Sequence, residues 1–166
     1  EARIVSTKSK QQSLQGTLAL KETPLGVLAP FMAEGEPLEG TLSGTATFDA
    51  PLMDPAKGSF EGRIEVLEAV RGDLTARATA PFTFGFADGR GRVDGLRLKG
   101  NGLEAQVEGS AGIAEGDPID VSVKVDADLA MLPAPSPWIL AGRARAEVRV
   151  DGSRTTPRAH GFVSLD

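Results

Sequence analysis

Few side chains in this sequence are equipped for chemistry, and none is spaced for it. His160 is the only histidine and lies between Ala159 and Gly161. There is no second histidine and no cysteine, so neither a catalytic triad nor an imidazole–thiolate metal site can be assembled. His160 therefore reads as a surface turn residue. Asp126 and Asp128 flank Ala127 and share the outward face of a strand. They could form half a calcium site, but solvated carboxylates are the simpler reading. Asp49, Asp54 and Asp117-Pro118 have the composition of turns. The run Gly85-Phe86-Ala87-Asp88-Gly89-Arg90-Gly91 is rich in glycine, yet no helix follows to hold a phosphate. Trp138, next to Pro137, reads as an anchor packing a short helix onto one end of the fold. Inward positions hold almost no carboxylates, so a glycosidase pair is not expected. No enzymatic activity, cofactor or metal is expected.

What remains is a scaffold. The chain has 166 residues, 40% of them apolar, with 18 Lys+Arg against 23 Asp+Glu for a net charge of −5. That length suits one domain, and the apolar content argues against disorder. The bases are scattered (Arg63, Arg77, Arg90, Arg97, Lys124, Arg145), so no nucleic-acid patch is expected. The absence of cysteine rules out a disulfide frame without fixing the compartment. The longest uncharged apolar run, Leu129 to Gly142, is broken by Pro133, Pro135 and Pro137 and is too short to cross a bilayer. No signal sequence is visible. The chain starts and stops inside its own pattern, and it reads as a segment, 1–166, of something longer.

The pattern has period two. Leu42, Gly44, Ala46 and Phe48 alternate with Thr41, Ser43, Thr45 and Thr47. Phe60, Gly62, Ile64 and Val66 alternate with charged residues, and Leu74 to Phe86 keeps one phase for thirteen residues. Residues 103–113, 119–129 and 140–150 do the same. Such alternation predicts half-buried strands, and Asp88-Gly89 and Asn101-Gly102 supply the positive φ of tight hairpins. The phase slips between Val93 and Leu96, where Asp94-Gly95 predicts a bulge. Eight to ten antiparallel strands in one sheet are expected. Only Thr23 to Met32, which opens Thr-Pro, and Asp128 to Leu132 read as helix. A weak internal repeat relates 24–67 to 129–165, with Leu38-Glu39-Gly40 matching Leu140-Ala141-Gly142 and Phe48 matching Val150. Repeats of this kind favour a stacked, open-ended architecture.

The inward phase mixes large residues with many small ones, among them Gly44, Ala46, Gly62, Ala76, Ala78, Ala80, Ala105, Gly109 and Ala111. Two short helices cannot cover an apolar face of about ten strands. Either the sheet packs shut on itself, the small residues easing close approach, or it curls into a trough whose lining stays accessible.

Several stretches carry a family resemblance. They are Leu38 to Ala46, Pro55 to Phe60, Gly91 to Gly100, Leu103 to Gly109 and Ile139 to Ser153, followed by Pro157-Arg158-Ala159-His160-Gly161-Phe162-Val163-Ser164-Leu165-Asp166. In this order they resemble the AsmA-like family of bacterial intermembrane lipid-transport proteins, in its TamB (translocation and assembly module subunit) branch. The similarity extends over nearly all of residues 13–166. It implies a mainly β fold: a long antiparallel sheet folded into an open, U-shaped β-taco groove with an apolar interior and one or two short helices. It also implies a periplasmic segment of an inner-membrane-anchored protein that meets an Omp85-class, TamA-like partner at the outer membrane. The ligand would be phospholipid acyl chains, and the context outer-membrane biogenesis. The lining expected is Leu42, Phe48, Phe60, Ile64, Val66, Phe82, Phe84, Phe86, Val107, Ile119, Val121, Val123, Val125, Val148 and Val150. Two other roles stay open: a groove receiving strands of outer-membrane proteins by β-augmentation, and a closed β-rich binding or adhesion module. Cut edges could also let the segment self-associate.

Overall fold

The computed structural model describes residues 13–26, 39–51, 57–131 and 141–166. Ten strands form one antiparallel sheet: β1 (Ser13–Pro24), β2 (Glu39–Pro51), β3 (Ser59–Arg71), β4 (Leu74–Ala78), β5 (Phe82–Ala87), β6 (Arg90–Gly100), β7 (Leu103–Gly112), β8 (Pro118–Asp128), β9 (Arg143–Ser153) and β10 (Pro157–Leu165). Their order in space follows their order in sequence. β4 and β5 lie end to end between β3 and β6. Ten strands thus fill nine positions, roughly 38 Å across at about 4.8 Å per step. Among the described residues no helix is long and apolar enough to cross a membrane.

Local chemistry sets this meander. Asp88 and Gly89 both have positive φ, 51° and 72°, the signature of a type I′ hairpin whose twist suits its strands. Asn101-Gly102 closes the next hairpin, with Gly102 at φ 74°. The Asn101 side chain also reaches sideways. Its Oδ1 accepts from the Thr75 N–H at 2.7 Å, and its Nδ2 donates to the Asp73 carbonyl at 2.7 Å. One side chain thereby ties the β3–β4 hairpin to the β6–β7 hairpin.

A row of bulges crosses half the sheet. Ile64 pairs with Gly44 but Val66 pairs with Ser43, leaving Glu65 extra in β3. The Thr79-Ala80-Pro81 break gives β4–β5 one residue more again than β3. On the other flank, β6 carries one extra residue against β7, at Asp94-Gly95 between Val93 and Leu96. That is the site where the sequence predicts it, and Gly95 supplies φ 76°. β1 has its own slip between Leu20 and Thr23, with Glu22 at φ 45°. The Glu22 N–H donates to Ser43 Oγ at 2.9 Å, so this bulge donor is satisfied. The surplus rises from none in β2 to two residues in β4–β5 and falls to none in β7. From β7 to β10 the register runs without a slip. Extra residues bend a strand and raise its twist, so the curvature gathers in β1–β6.

One sequence expectation needs correction. Thr23 and Pro24 do not start a helix: they pair with Leu42 and Thr41 as the end of β1. β1 is an edge strand, where proline is tolerated. Only Leu25-Gly26 turns helically, in a 3-10 bend; the rest of the expected helix, with Leu28 and Met32, lies outside the described residues. The second expected stretch does turn, as a short 3-10 helix at Leu129–Met131, whose Ala130 N–H donates to Asp128 Oδ1 at 3.0 Å. Trp138 lies outside the described residues, as does Asp54.

Candidate functional site

Residues paired across neighbouring strands share a face. Following the register sorts the sheet into one apolar and one polar side. One apolar row runs Leu18, Ala46, Gly62, Phe84, Val93, Gly109, Val121, Val150, Ala159. A second runs Phe48, Phe60, Phe86, Gly91, Ala111, Ile119. Beyond the bulges a third runs Leu96, Val107, Val123, Val148, and Val125 sits beside Ala105 and Ala146. Leu42, Ile64 and Phe82 occupy the same face near the bulge row.

Fourteen of the fifteen expected lining residues therefore lie on one face. The exception is Val66. The extra Glu65 turns Val66 to the polar side, where it is 49% exposed. Leu67 and Ala69 take its place, pairing with Leu42 and Gly40. The adjacent apolar pair Val66-Leu67 is the trace of that slip in the sequence. Leu14, Leu18, Leu20, Leu67, Leu96 and Leu98 also belong to the apolar face and were not among the expected lining. The alternation Leu14, Gly16, Leu18, Leu20 carries the signal for those in β1.

Burial is uneven. Leu25, Leu42, Ile64 and Phe82 form a small core. Leu25, at the bend after β1, is 2% exposed and covers the face beside the bulge row. Among the described residues Ala127 is the fifth buried apolar one. The valines of β7 to β9 are half-buried, as expected of a face with neighbours beside it and, among the described residues, no second layer on top. Phe48 and Phe60 are 37% and 41% exposed.

The aromatics form a platform at one end of the face. Phe60 stacks on Phe86, with centroids 6.1 Å apart and planes 16° from parallel, and sits 5.7 Å from Phe84 in a tilted contact. The Phe48 and Phe84 rings reach over the glycines that pair with them: an added β-carbon on Gly16 or Gly62 would run into the ring. The space left by those two glycines is thus already filled by rings.

The polar face is a ladder of ion pairs. Asp126 accepts from Arg143 Nε at 2.6 Å and Arg145 Nε at 3.0 Å. These two hydrogen bonds, Arg143 first, hold its carboxyl below the ordinary value of 3.8. Asp126 is thus occupied by guanidinium groups, not aligned with Asp128 toward a cation. Asp120 makes a two-pronged pair with Arg149 at 3.1 and 3.0 Å, which raises the Arg149 pKa. Lys124–Glu147, Lys99–Glu104 and Arg92–Glu61 continue the pattern. Two hollows of about 670 and 430 Å³ are lined largely by residues of this polar side, the larger by Gln15, Asp49, Glu61, Arg90 and Arg92 together with Phe48, Phe60 and Phe86. His160 is exposed in β10, its Nε2 3.4 Å from Asp151 Oδ2. Asp49 accepts from Gln15 Nε2 at 2.7 Å. Among the described residues no three potential ligands gather for a metal.

No family model, curated protein or solved structure matches this chain.

Proposed function

We propose that the apolar face is an acyl-chain-binding surface, and that the chain is a segment of an AsmA-like, TamB-type conduit that passes lipid between membranes. The observation that carries this reading is continuity. An apolar face runs across all nine strand positions without an ion pair or an inward carboxylate to interrupt it. An acyl chain gains about 0.8 kcal/mol for each CH₂ removed from water and needs no hydrogen bond, so a chemically even lining suits it. Evenness also keeps the barrier between neighbouring positions low, as movement along a path requires. The bulges, by bending successive strands along one line, are the device that would fold the sheet into an open, U-shaped trough with headgroups left at its rim. The ion-pair ladder keeps the other face in water. In this reading the segment belongs to a periplasmic, inner-membrane-anchored chain whose far end meets a TamA-like, Omp85-class partner.

A photo-crosslinking residue tests the assignment. Placed at Phe60 or Val123 it captures phospholipid, and at Arg63 or Lys124 it does not. Equal capture on both faces would refute the proposal. The strand-receiving alternative keeps one supporting observation, that β1 and β10 are the outer strands of the described sheet. It predicts peptide captured along an edge and no lipid on the face.

A further inference from the structure

The apolar face is not equally open along its length. Leu42, Ile64 and Phe82 stand beside the bulge row and are 9%, 4% and 8% exposed, whereas Phe48 and Phe60 on the same face are more than a third exposed. Leu25 packs with the three closed residues as one cluster. Leu25 is not part of the sheet. It follows Pro24, the last residue of β1, on a short 3-10 bend. A β-carbon built on Gly26 would enter open space. At this bend, therefore, the Leu25 side chain meets the core and the backbone at Gly26 stands clear of it.

The end of β8 supplies a comparison. Leu25 lies two residues past the Thr23–Leu42 pair, and Leu129 lies two residues past the Ala127–Ala144 pair. Both leave a strand by a 3-10 turn. Yet Leu129 is only half-buried. Following a strand is thus not what buries the leucine. The two places differ in two respects. β1 slips against β2 just before its end, whereas β8 runs without a slip against β9, and β9 has Ala144 where β2 has Leu42. The bend and the large partners together make the seat that Leu25 fills.

We propose that Leu25 is a plug in the acyl-chain track. Its side chain takes the place that ligand hydrocarbon would take over Leu42, Ile64 and Phe82. A bound chain is then confined to the rest of the face, the phenylalanine platform and the valine rows of β7 to β9. Leu25 and an acyl chain present the same methyl and methylene surface, so they compete for one seat by the same burial of apolar area. Leu25 thereby sets where a bound chain stops, and a smaller residue there extends the track toward β1. This inference rests on the acyl-chain reading of the face.

The chain has no cysteine, so a single introduced thiol reports on each stretch. Leu42→Cys reports on the plugged stretch and Val123→Cys on the open one. Each is treated with N-ethylmaleimide, which tests cover, and with a maleimide carrying a long alkyl chain, which tests access for hydrocarbon. Val123→Cys should react readily with both, and faster with the alkyl reagent. Leu42→Cys should react about tenfold more slowly or worse with either, since a buried thiol reacts only when the structure opens locally. Adding Leu25→Ala should recover most of that factor, the alkyl reagent gaining more than N-ethylmaleimide. Circular dichroism and urea melts check that each variant is folded. Where the pair Leu42→Cys/Leu25→Ala does not fold, Ala78→Cys, which packs against the same cluster, repeats the test with Leu25→Val. Ready labelling of the plugged stretch with Leu25 in place, or no gain on shortening Leu25, overturns the plug while leaving the acyl-chain reading standing. No advantage of the alkyl reagent at Val123→Cys defeats the acyl-chain reading itself, and the track role of Leu25 falls with it.

Discussion

Phe84 lies across Gly62 from the neighbouring strand, its ring occupying the place where a β-carbon at Gly62 would stand. The two residues act as one unit: glycine supplies the recess and phenylalanine fills it. Gly62→Val should therefore cost about 1–3 kcal/mol through overpacking. Much of that loss should return in the double variant Gly62→Val/Phe84→Leu, since contacting sites are not additive. Denaturant titration of the four proteins measures the coupling. Simple additivity would show that the ring moves aside freely.

The register slip at Glu65 makes Ile64 and Val66 very different sites. Ile64 is 4% exposed inside the small core, and Val66 is 49% exposed on the polar face. Ile64→Asp buries an unpaired charge and should cost about 3–5 kcal/mol or prevent folding. Val66→Asp should fall within about 0.5 kcal/mol of the parent. Thermal unfolding separates the two, and comparable losses would restore an unbroken β3 phase.

Asp126 predicts an acid dependence. Its folded pKa is lowered by Arg143 and Arg145, so its contribution is present above the unfolded carboxylate value. That contribution fades as pH falls through the depressed folded value. Asp126→Asn should reduce stability at pH 7 and flatten the stability–pH profile below about pH 4. The difference between variant and parent should shrink as the pH approaches 2. Urea melts at pH 2.5, 4 and 7 check the sign.

Asn101 links two hairpins through Thr75 and Asp73. Asn101→Ala leaves the Thr75 N–H and the Asp73 carbonyl without that partner, and should cost about 1–2 kcal/mol. Faster hydrogen exchange should appear at Thr75 before it appears in β8 or β9, detectable by amide exchange.

Much of this architecture is legible in the residues themselves. Period two, Asp88-Gly89, Asn101-Gly102 and the slip at Asp94-Gly95 predict strands, hairpins and a bulge that the fold contains. The failures share a cause. At Glu65 the bulge has no glycine to mark it, so alternation read forward from Phe60 carries Val66 to the wrong face. At Thr79–Pro81 a strand breaks while its apolar phase persists, because the four-residue step from Ala78 to Phe82 preserves parity. At Thr23-Pro24 a helix-start signal is overridden by pairing with β2, a tertiary effect that local composition does not encode. As for the candidate site, the shared apolar face follows from alternation. That rings would fill the recesses at Gly16 and Gly62 depends on cross-strand partners, which only the register reveals.

The strand order has a consequence for how the molecule comes apart. Among the described residues every strand bonds only to neighbours in sequence, apart from the split position shared by β4 and β5, and no pairing joins β1 to β10. The stability of such a chain approximates a sum of intrinsic and nearest-neighbour terms. Folding can begin at any interior hairpin and zip outward, loop closure staying cheap at each step. Unfolding correspondingly frays from β1 and β10 inward, so the free energy of opening grows with distance from either edge and no single value describes the whole chain.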